Sequence, residues 1–304
     1  MAQYSEVSTQ PAAVLRTGVV VPVWRATRNT ATFAKRFPLG FAGAAILLIV
    51  AFLAVAAPVV TVQHPDQVNL GERKETPSWS HPLGTDYNGR DIFSRVVYGG
   101  RVSLQVSVLA VLLGTTVGAM WGVASAHAGG RFDIISQRVL EVFMAFPSLV
   151  LAMVLLVGIG AGLWTVIIAI AITRLPYGVR VVRSVALSIK ETDYVMAARA
   201  IGVSNLRMMA LHIAPQCIAP FLVLASAHLG VAIIIESSLG FLGVGIPPPT
   251  STWGNMLGGA VANVLIPHWP LVVFPGVAIT LVVLGFNFFG DAVRDAFDPR
   301  LRGR

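Results

Sequence analysis

The chain has 304 residues, 55% hydrophobic and only 12% charged, with a net charge of +8 and a mean hydropathy of +0.75. A soluble domain carries about 25% charged residues, so this is the composition of an integral membrane protein. The positive charge fits basic cytoplasmic loops better than nucleic-acid binding. Cys217 is the only cysteine, which excludes an intrachain disulfide and a cysteine-based metal cluster. Beside an apolar run it is a small core residue.

In chain order, residues 1–30 are rich in Thr, Ala and Val without a helical stripe, which predicts a mobile tail over 1–36. Crossing a bilayer takes about 20 mostly apolar residues. Six stretches qualify: 38–62, 102–126, 139–158, 163–182, 218–239 and 271–290. The first contains Ala54-Val55-Ala56, similar to a signal cleavage site, but its apolar run is long and follows a basic tail. It is expected to be an uncleaved anchor. An even number of spans places both termini on one side. With the termini inside, segments 1–37, 127–138, 174–216 and 288–304 hold 17 of the 22 Lys and Arg residues. The outer segment 63–101 balances five basic residues with five acidic ones, and 241–268 has no Lys or Arg. Both termini are therefore expected in the cytoplasm. There is no internal repeat or low-complexity tract, which predicts one all-α membrane domain of six transmembrane helices.

Segment 63–101 starts polar and turn-rich, then becomes amphipathic near Asp91, with Ile92, Phe93, Val96 and Val97 on one face. This predicts a short helix lying at the outer surface. Asp86-Tyr87-Asn88-Gly89-Arg90-Asp91 is partly similar to a calcium loop, but its Gly comes two positions early. An Asn-Gly turn leading into a helix fits better.

The inner segment 184–216 is too long for a minimal connector. Met196, Ala197, Ala198, Ala200 and Ile201 make a small apolar helical face. Ala197, Ala198 and Gly202 are expected to share one side that another surface can approach closely, and Gly202 stops the helix. Ser204 and Asn205 offer a fresh N-cap for a helix over Leu206–Leu211. The pattern predicts helix, elbow, helix, although a plain connector built for helix propensity would look the same.

Beyond it, Glu236 sits near the outer end of the fifth span, where an ionised carboxylate is costly unless paired or wet. His228, eight residues earlier, falls on roughly the same face. Either they line a translocation path or gate, or Glu236 caps the turn near Gly240–Gly245 or meets an interfacial Arg. Ser237, Ser238 and Asn287 are further pathway candidates, or ordinary glue between spans. Gly243 to Ile246, followed by Pro247-Pro248-Pro249, cannot continue a helix and predicts a stiff outer loop. Trp253 and Trp269 would serve there as interfacial anchors. Asp291, Arg294, Asp295, Asp298 and Arg300 form a mixed-charge tail, a solvated helix end by default. No Gly-x-x-x-x-Gly-Lys-Ser/Thr occurs, so no P-loop is available and the energy must come from a partner.

Several stretches together carry a resemblance. Tyr194 to Gly202, ending at Pro215, resembles the "EAA" loop of permease subunits of ATP-binding-cassette importers. The paired alanines fall at Ala197 and Ala198, the Gly at Gly202 and the Pro at Pro215. Met196 stands at the usual Glu position, and His212 and Ala214 stand at the Ile and Leu positions, so the loop's usual ionic contact is missing here. His81-Pro82-Leu83-Gly84-Thr85-Asp86 with Gly89-Arg90-Asp91, then Arg95 and Arg101-Val102-Ser103-Leu104, resemble the outer segment of peptide-type permeases. Glu236-Ser237-Ser238-Leu239-Gly240 through Gly245, and Trp253-Gly254-Asn255-Met256, do so too. Phe274-Pro275-Gly276 through Asn287, Gly290-Asp291, Arg294-Asp295 and Asp298-Pro299-Arg300 complete the set.

Over residues 37–302 the chain is similar to the dipeptide/oligopeptide permease subunits of the DppC/OppC type, leaving 1–36 and 303–304 outside. The resemblance implies a type I importer permease in the bacterial cytoplasmic membrane, half of a heterodimeric pore with a DppB/OppB-like second permease. It implies two ATPase subunits that bind ATP and Mg2+, an extracytoplasmic binding protein and short peptides as substrate. No cofactor, no nucleic acid and no enzymatic activity are implied for this chain. Met196, Ala197, Ala198, Arg199, Gly202 and Pro215 would couple to the ATPase. His228, Glu236, Ser237 and Asn287 would line the path or gate, and Trp253 and Asn255 would meet the binding protein. The same architecture could carry a nickel chelate, a glycoside or glutathione. A secondary transporter driven by an ion gradient is the alternative from another class.

Overall fold

The structure is a computed structural model describing residues 37–261 and 268–297. The expected N-terminal tail 1–36 and the C-terminal residues 298–304 lie outside the described residues. Among the described residues the architecture is all-helical, with one isolated β-bridge between Thr85 and Asp91. The helices are α1 (Pro38–Val55), α2 (Ile92–Ala128), α3 (Gly130–Met144), α4 (Ser148–Ile159) and α5 (Leu163–Lys190). They continue as α6 (Asp193–Ala200), α7 (Asn205–Met208), α8 (Ile218–Phe241), α9 (Trp253–Val261) and α10 (Trp269–Phe297). A π turn, Met209–Ile213, and a 3₁₀ turn, Ala214–Cys217, join α7 to α8.

Five helical runs are long and apolar enough to cross a membrane: α1, α2, α5, residues 205–241 and α10. The expected third span, 139–158, is not one straight helix. It is divided between α3 and α4, which meet at 90° and pass as a sixth span only as a bent pair. The cause is Phe146-Pro147: proline lacks the N–H needed to continue α3, and it pushes the residue before it out of the helical region. The surface helix expected near Asp91 is also corrected. It forms the opening turns of α2, which continues unbroken into the span. Asp91 caps this long helix, accepting from the Ser94 N–H at 2.8 Å and the Ser94 hydroxyl at 2.7 Å. The helix then passes through Gly99-Gly100 because both are buried against a neighbour. A Cβ at Gly99 would lie 3.4 Å from Ser251 Oγ, and one at Gly100 would lie 2.8 Å from Trp253 Cζ2.

The tightest packing joins α2 to α5. Gly114, Gly118 and Gly122 recur every four residues and so share one face of α2. A Cβ at Gly114 would overlap the Ala171 carbonyl oxygen. One at Gly118 would lie 2.5 Å from the Leu175 oxygen, and one at Gly122 would lie 2.7 Å from the Val179 oxygen. From α5, a Cβ at Gly178 would lie 3.0 Å from the Thr115 oxygen. Around this seam, Val106, Ala110, Leu156, Ile167, Ile170 and Ile235 form a core shared by α2, α4, α5 and α8. A second core, including Val123, Val182, Val195, Met208 and Ile213, ties the same two helices to the segment after α5. Ile233, Val282 and Phe286 join α8 to α10, with Leu47 of α1 packed against them.

Overpacking a close-packed site costs typically about 1–3 kcal/mol. Gly118→Val is therefore expected to lower the thermal unfolding midpoint of the detergent-purified chain. Gly158→Ala in α4, where nothing lies within 4 Å of the added carbon, should not. Equal midpoints for Gly118→Val and the wild type would rule out the backbone seam.

Candidate functional site

The segment after α5 folds as helix, elbow, helix. Only Glu191 and Thr192 separate α5 from α6. Asp193 in the first turn of α6 and Arg199 in its last turn both complement the helix dipole. The helix ends in a paired hydrogen-bond motif around Gly202, whose φ of +81° suits glycine. The Gly202 N–H donates to the Arg199 carbonyl at 3.0 Å, and the Val203 N–H reaches back to the Ala198 carbonyl at 3.2 Å. In this motif the residue after the glycine packs on the helix residue it bonds. Val203 and Ala198 accordingly belong to one core cluster with Val195 and Met208. The elbow is thus capped and anchored.

This geometry corrects one part of the sequence expectation. Ala197 and Ala198 do not share an exposed side, because adjacent helical residues differ by about 100° in direction. Ala198 turns inward, 7% exposed, while Ala197, Arg199 and Gly202 face outward. The outward apolar surface includes Met196, 48% exposed, Ile201, 83%, and Leu206, 74%. Leu206 was missed as a site residue, and Ile201 was counted only as part of the apolar face. Their signal was two large apolar side chains flanking a helix-stopping glycine. Ser204 holds the N-cap position of α7 without a side-chain hydrogen bond, and the expected helix over Leu206–Leu211 passes into the π turn. Pro215 lies in the 3₁₀ turn before α8, thirteen residues from Gly202 and away from the elbow.

Polar contacts fasten this region to the spans. The Tyr194 hydroxyl donates to the His212 carbonyl at 3.1 Å. Lys190 Nζ donates to the Ala126 and His127 carbonyls at 3.1 and 3.3 Å, placing a cation at the C-terminus of α2. Arg183 of α5 grips Asp133 of α3 with two nitrogens at 2.6 and 2.5 Å, and Ser125 of α2 donates to the same carboxylate at 2.6 Å.

The pathway candidates separate into distinct surroundings. Glu236 is buried and accepts from the Ser237 hydroxyl at 3.3 Å, with the hydroxyls of Ser103 and Thr252 close by. Its surroundings thus come from α8, α2 and the residue before α9; neither the turn at Gly240–Gly245 nor an Arg is its partner. His228, two turns away, packs edge-on against Tyr177 with ring centres 5.4 Å apart. The guanidinium of Arg174 stands 5.1 Å from the same Tyr177 ring and is itself buried. It donates to the Ser148 hydroxyl at 2.6 Å and the Thr173 hydroxyl at 3.1 Å, with no carboxylate paired to it among the described residues. Charge counting had assigned Arg174 to the inner segment and so missed it. Ser237 is buried, whereas Asn287 lies on an exposed face of α10.

On the opposite end, Trp253 is 1% exposed and donates its indole N–H to the Val96 carbonyl at 2.9 Å. It cannot be a surface anchor or a docking contact, because Gly100 leaves a slot that its ring fills. Asn255 is partly exposed and caps the start of α9, accepting from the Thr252 N–H at 3.0 Å. Trp269 remains exposed.

Among the described residues, five or six helices able to cross a membrane, with polar groups buried between them, define a multi-pass membrane protein. The chain belongs to the family described as binding-protein-dependent transport system inner membrane component, whose model matches residues 114–303. Its relatives include dipeptide transport system permease protein DppC of Alkalihalophilus pseudofirmus, 39% identical over 268 residues and 88% of each chain. A Brucella suis protein whose name describes a peptide transport system permease is 41% identical over 260 residues, 86% of this chain and 87% of its own. An Escherichia coli protein, DdpC, whose name describes a D,D-dipeptide transport system permease, is 36% identical over 270 residues, 89% of this chain and 90% of its own. The chain is a permease subunit of the type I importer class.

Leaving buried hydroxyls without an acceptor costs about 1–3 kcal/mol per group. Glu236→Leu should therefore lower the thermal midpoint clearly, and Glu236→Gln, which keeps an acceptor oxygen, should lower it less. Equal midpoints for the two variants would show that the hydroxyl bonds do not stabilise the fold.

Proposed function

We propose that this chain is half of a heterodimeric pore that imports short peptides. Two partner ATPases, which bind the ATP and Mg2+, supply the stroke, and an extracytoplasmic binding protein delivers the substrate. Peptide transport is what the names of its relatives describe, over nearly the whole of both chains. The observation that carries the coupling role is the elbow: a capped turn presenting Met196, Ile201 and Leu206 to the outside of its own subunit. Exposed apolar side chains of this size, clustered on one turn, are the features of a docking surface. The Lys and Arg bias puts the elbow and both termini on the cytoplasmic side, where ATP is available.

In this reading, closure of the ATPases displaces the elbow, and the two-residue link to α5 passes the motion to the spans, which exchange inward- and outward-facing arrangements. His228, Ser237 and Asn287 contribute polar surface along the path, with Glu236 holding its outer end in shape. Asn255 stands at the face that meets the binding protein.

Gly202→Arg tests the coupling. Nothing lies within 4 Å of a carbon added at Gly202, so the variant meets no internal clash beyond about 1–2 kcal/mol of backbone strain. ATP-driven dipeptide uptake into vesicles is expected to fall by about tenfold or more, as loss of a docking contact worth at least 1.4 kcal/mol requires. The inserted amount should stay equal, and Gly202→Ala, which carries the same strain, should retain most uptake. Normal uptake by Gly202→Arg would remove the elbow from the mechanism. Pull-down of the tagged chain should recover a P-loop ATPase and a second permease. Uptake of a nickel chelate or a glycoside in place of peptides would replace the substrate.

A further inference from the structure

Away from the elbow, the outer segment, the start of α2, α9 and the start of α10 line a pocket of about 590 Å³, within the roughly 300–1,000 Å³ typical of small-ligand sites. Its polar lining is strongly one-sided: Arg73, Lys74, Arg90 and Arg95 face one carboxylate, Asp86, with Asn255 at the edge. That carboxylate is already engaged. Asp86 accepts from the Asn88 and Arg90 N–H groups at 2.8 and 2.9 Å, and from Arg90 Nε at 2.8 Å.

Arg95 is the decisive residue. It is 5% exposed, yet its Nε has no hydrogen-bond partner. The nearest carboxylates, Asp86 at 3.8 Å from Nε and Asp66 at 3.6 Å from Nη1, stand beyond hydrogen-bond reach, and Nη1 donates instead to the Pro65 carbonyl at 3.2 Å. A buried guanidinium left short of acceptors is costly, and an oxyanion in the pocket it lines would balance its charge. Lys74 is a second, independent sign. It adopts a left-handed φ of +56°, unusual for a residue with a side chain. Its ammonium is held 4.8 Å from the centre of the Tyr87 ring at the pocket wall. Among the described residues, no carboxylate pairs with Arg73 or Lys74.

We propose that this outer pocket is a carboxylate-binding site that takes the C-terminal carboxylate of a short peptide. The ligand class rests on the peptide-import reading, whereas the pocket itself does not. Arg73 and Lys74 attract the anion at the mouth, and the Arg95 guanidinium adds its positive charge at the base. A planar guanidinium suits a carboxylate better than a point charge does. The site stands on the same side as the binding protein would, so it gathers or orients peptide before entry to the pore.

The test is a calorimetric titration of the intact complex, co-purified with its membrane and ATPase partners in nanodiscs without nucleotide. The probes are trialanine, trialanine amide and acetate. Trialanine should bind saturably and its amide about tenfold more weakly or worse, the loss expected for one charge-assisted contact. Arg73→Gln and Lys74→Gly should each weaken trialanine by a similar factor. Lys74→Gly also relieves the left-handed φ, so a folding defect does not confuse the result. Equal affinity for trialanine and its amide, or unchanged binding in both variants, overturns the proposal. Acetate binding as tightly as trialanine overturns the peptide assignment. Vesicle uptake measured in parallel keeps the two readings apart. Uptake without binding at this pocket removes the pocket alone, and binding without uptake removes the transport reading alone.

Discussion

Backbone contact between α2 and α5 is the constraint on which the rest of the structure depends. Within a bilayer the hydrophobic effect does not draw helices together, and close packing has to do so. Gly114, Gly118 and Gly122 let the two backbones approach to the limit, with the carbonyls of Ala171, Leu175 and Val179 where side chains would otherwise stand. Everything else is hung on this pair. α4 and α8 complete one core around it, and the elbow segment completes another. Both ends of α2 are then fastened, by Asp91 and Trp253 on one side and by Lys190 on the other.

Polar groups between the spans are resolved in two different ways. Glu236 accepts from the Ser237 hydroxyl and has those of Ser103 and Thr252 close by, so polar groups from α8, α2 and the approach to α9 surround the buried carboxylate. Among the described residues, Arg174 has two hydroxyl acceptors and an aromatic face for its charge, and no carboxylate. Ionisable groups at membrane depth are kept for a reason. The Glu236 arrangement accounts for itself within this chain. Beside Arg174, His228 packs edge-on against Tyr177 with its Nδ1 unpartnered among the described residues.

Most of the architecture was legible because apolar runs are long and the Lys and Arg bias is strong. What escaped were features that depend on a partner surface. The GxxxGxxxG pattern of α2 was in the sequence, but a glycine face carries meaning only once α5 is set against it. The same contact-dependence hid Trp253: as a lone aromatic in a Pro-rich loop it resembles an interfacial anchor, until Gly99-Gly100 supplies its slot. The extent of α2 was misjudged because the amphipathic turns after Asp91 and the apolar run from Val102 were taken as two elements, whereas they form one helix. The bend at Phe146-Pro147 was visible as a proline inside an apolar run, and length alone concealed it. At the elbow, Gly202 and its stop were legible, yet the inward turn of Ala198 follows from a cap whose hydrophobic partner, Val203, lies beyond the motif.

These fastenings determine how force could travel. α2, at 37 residues, is about 55 Å long at 1.5 Å per residue, well beyond the roughly 30 Å hydrocarbon core. Its outer end therefore stands in the segment that carries the Arg95 pocket, and its inner end meets Lys190, three residues before the start of α6. Through the seam at Gly114, Gly118 and Gly122, α2 is joined to α5 as one rigid unit. Under the proposed coupling, displacement of the elbow would be felt at both membrane faces without any chain of side-chain rearrangements between them. The compliance has to lie where the helical hydrogen-bond ladder is interrupted. Such places include the break between Met144 and Ser148 and the π and 3₁₀ turns over Met209–Cys217. Under the proposed coupling, the rigid seam and these joints would together make a lever with its handle at Gly202.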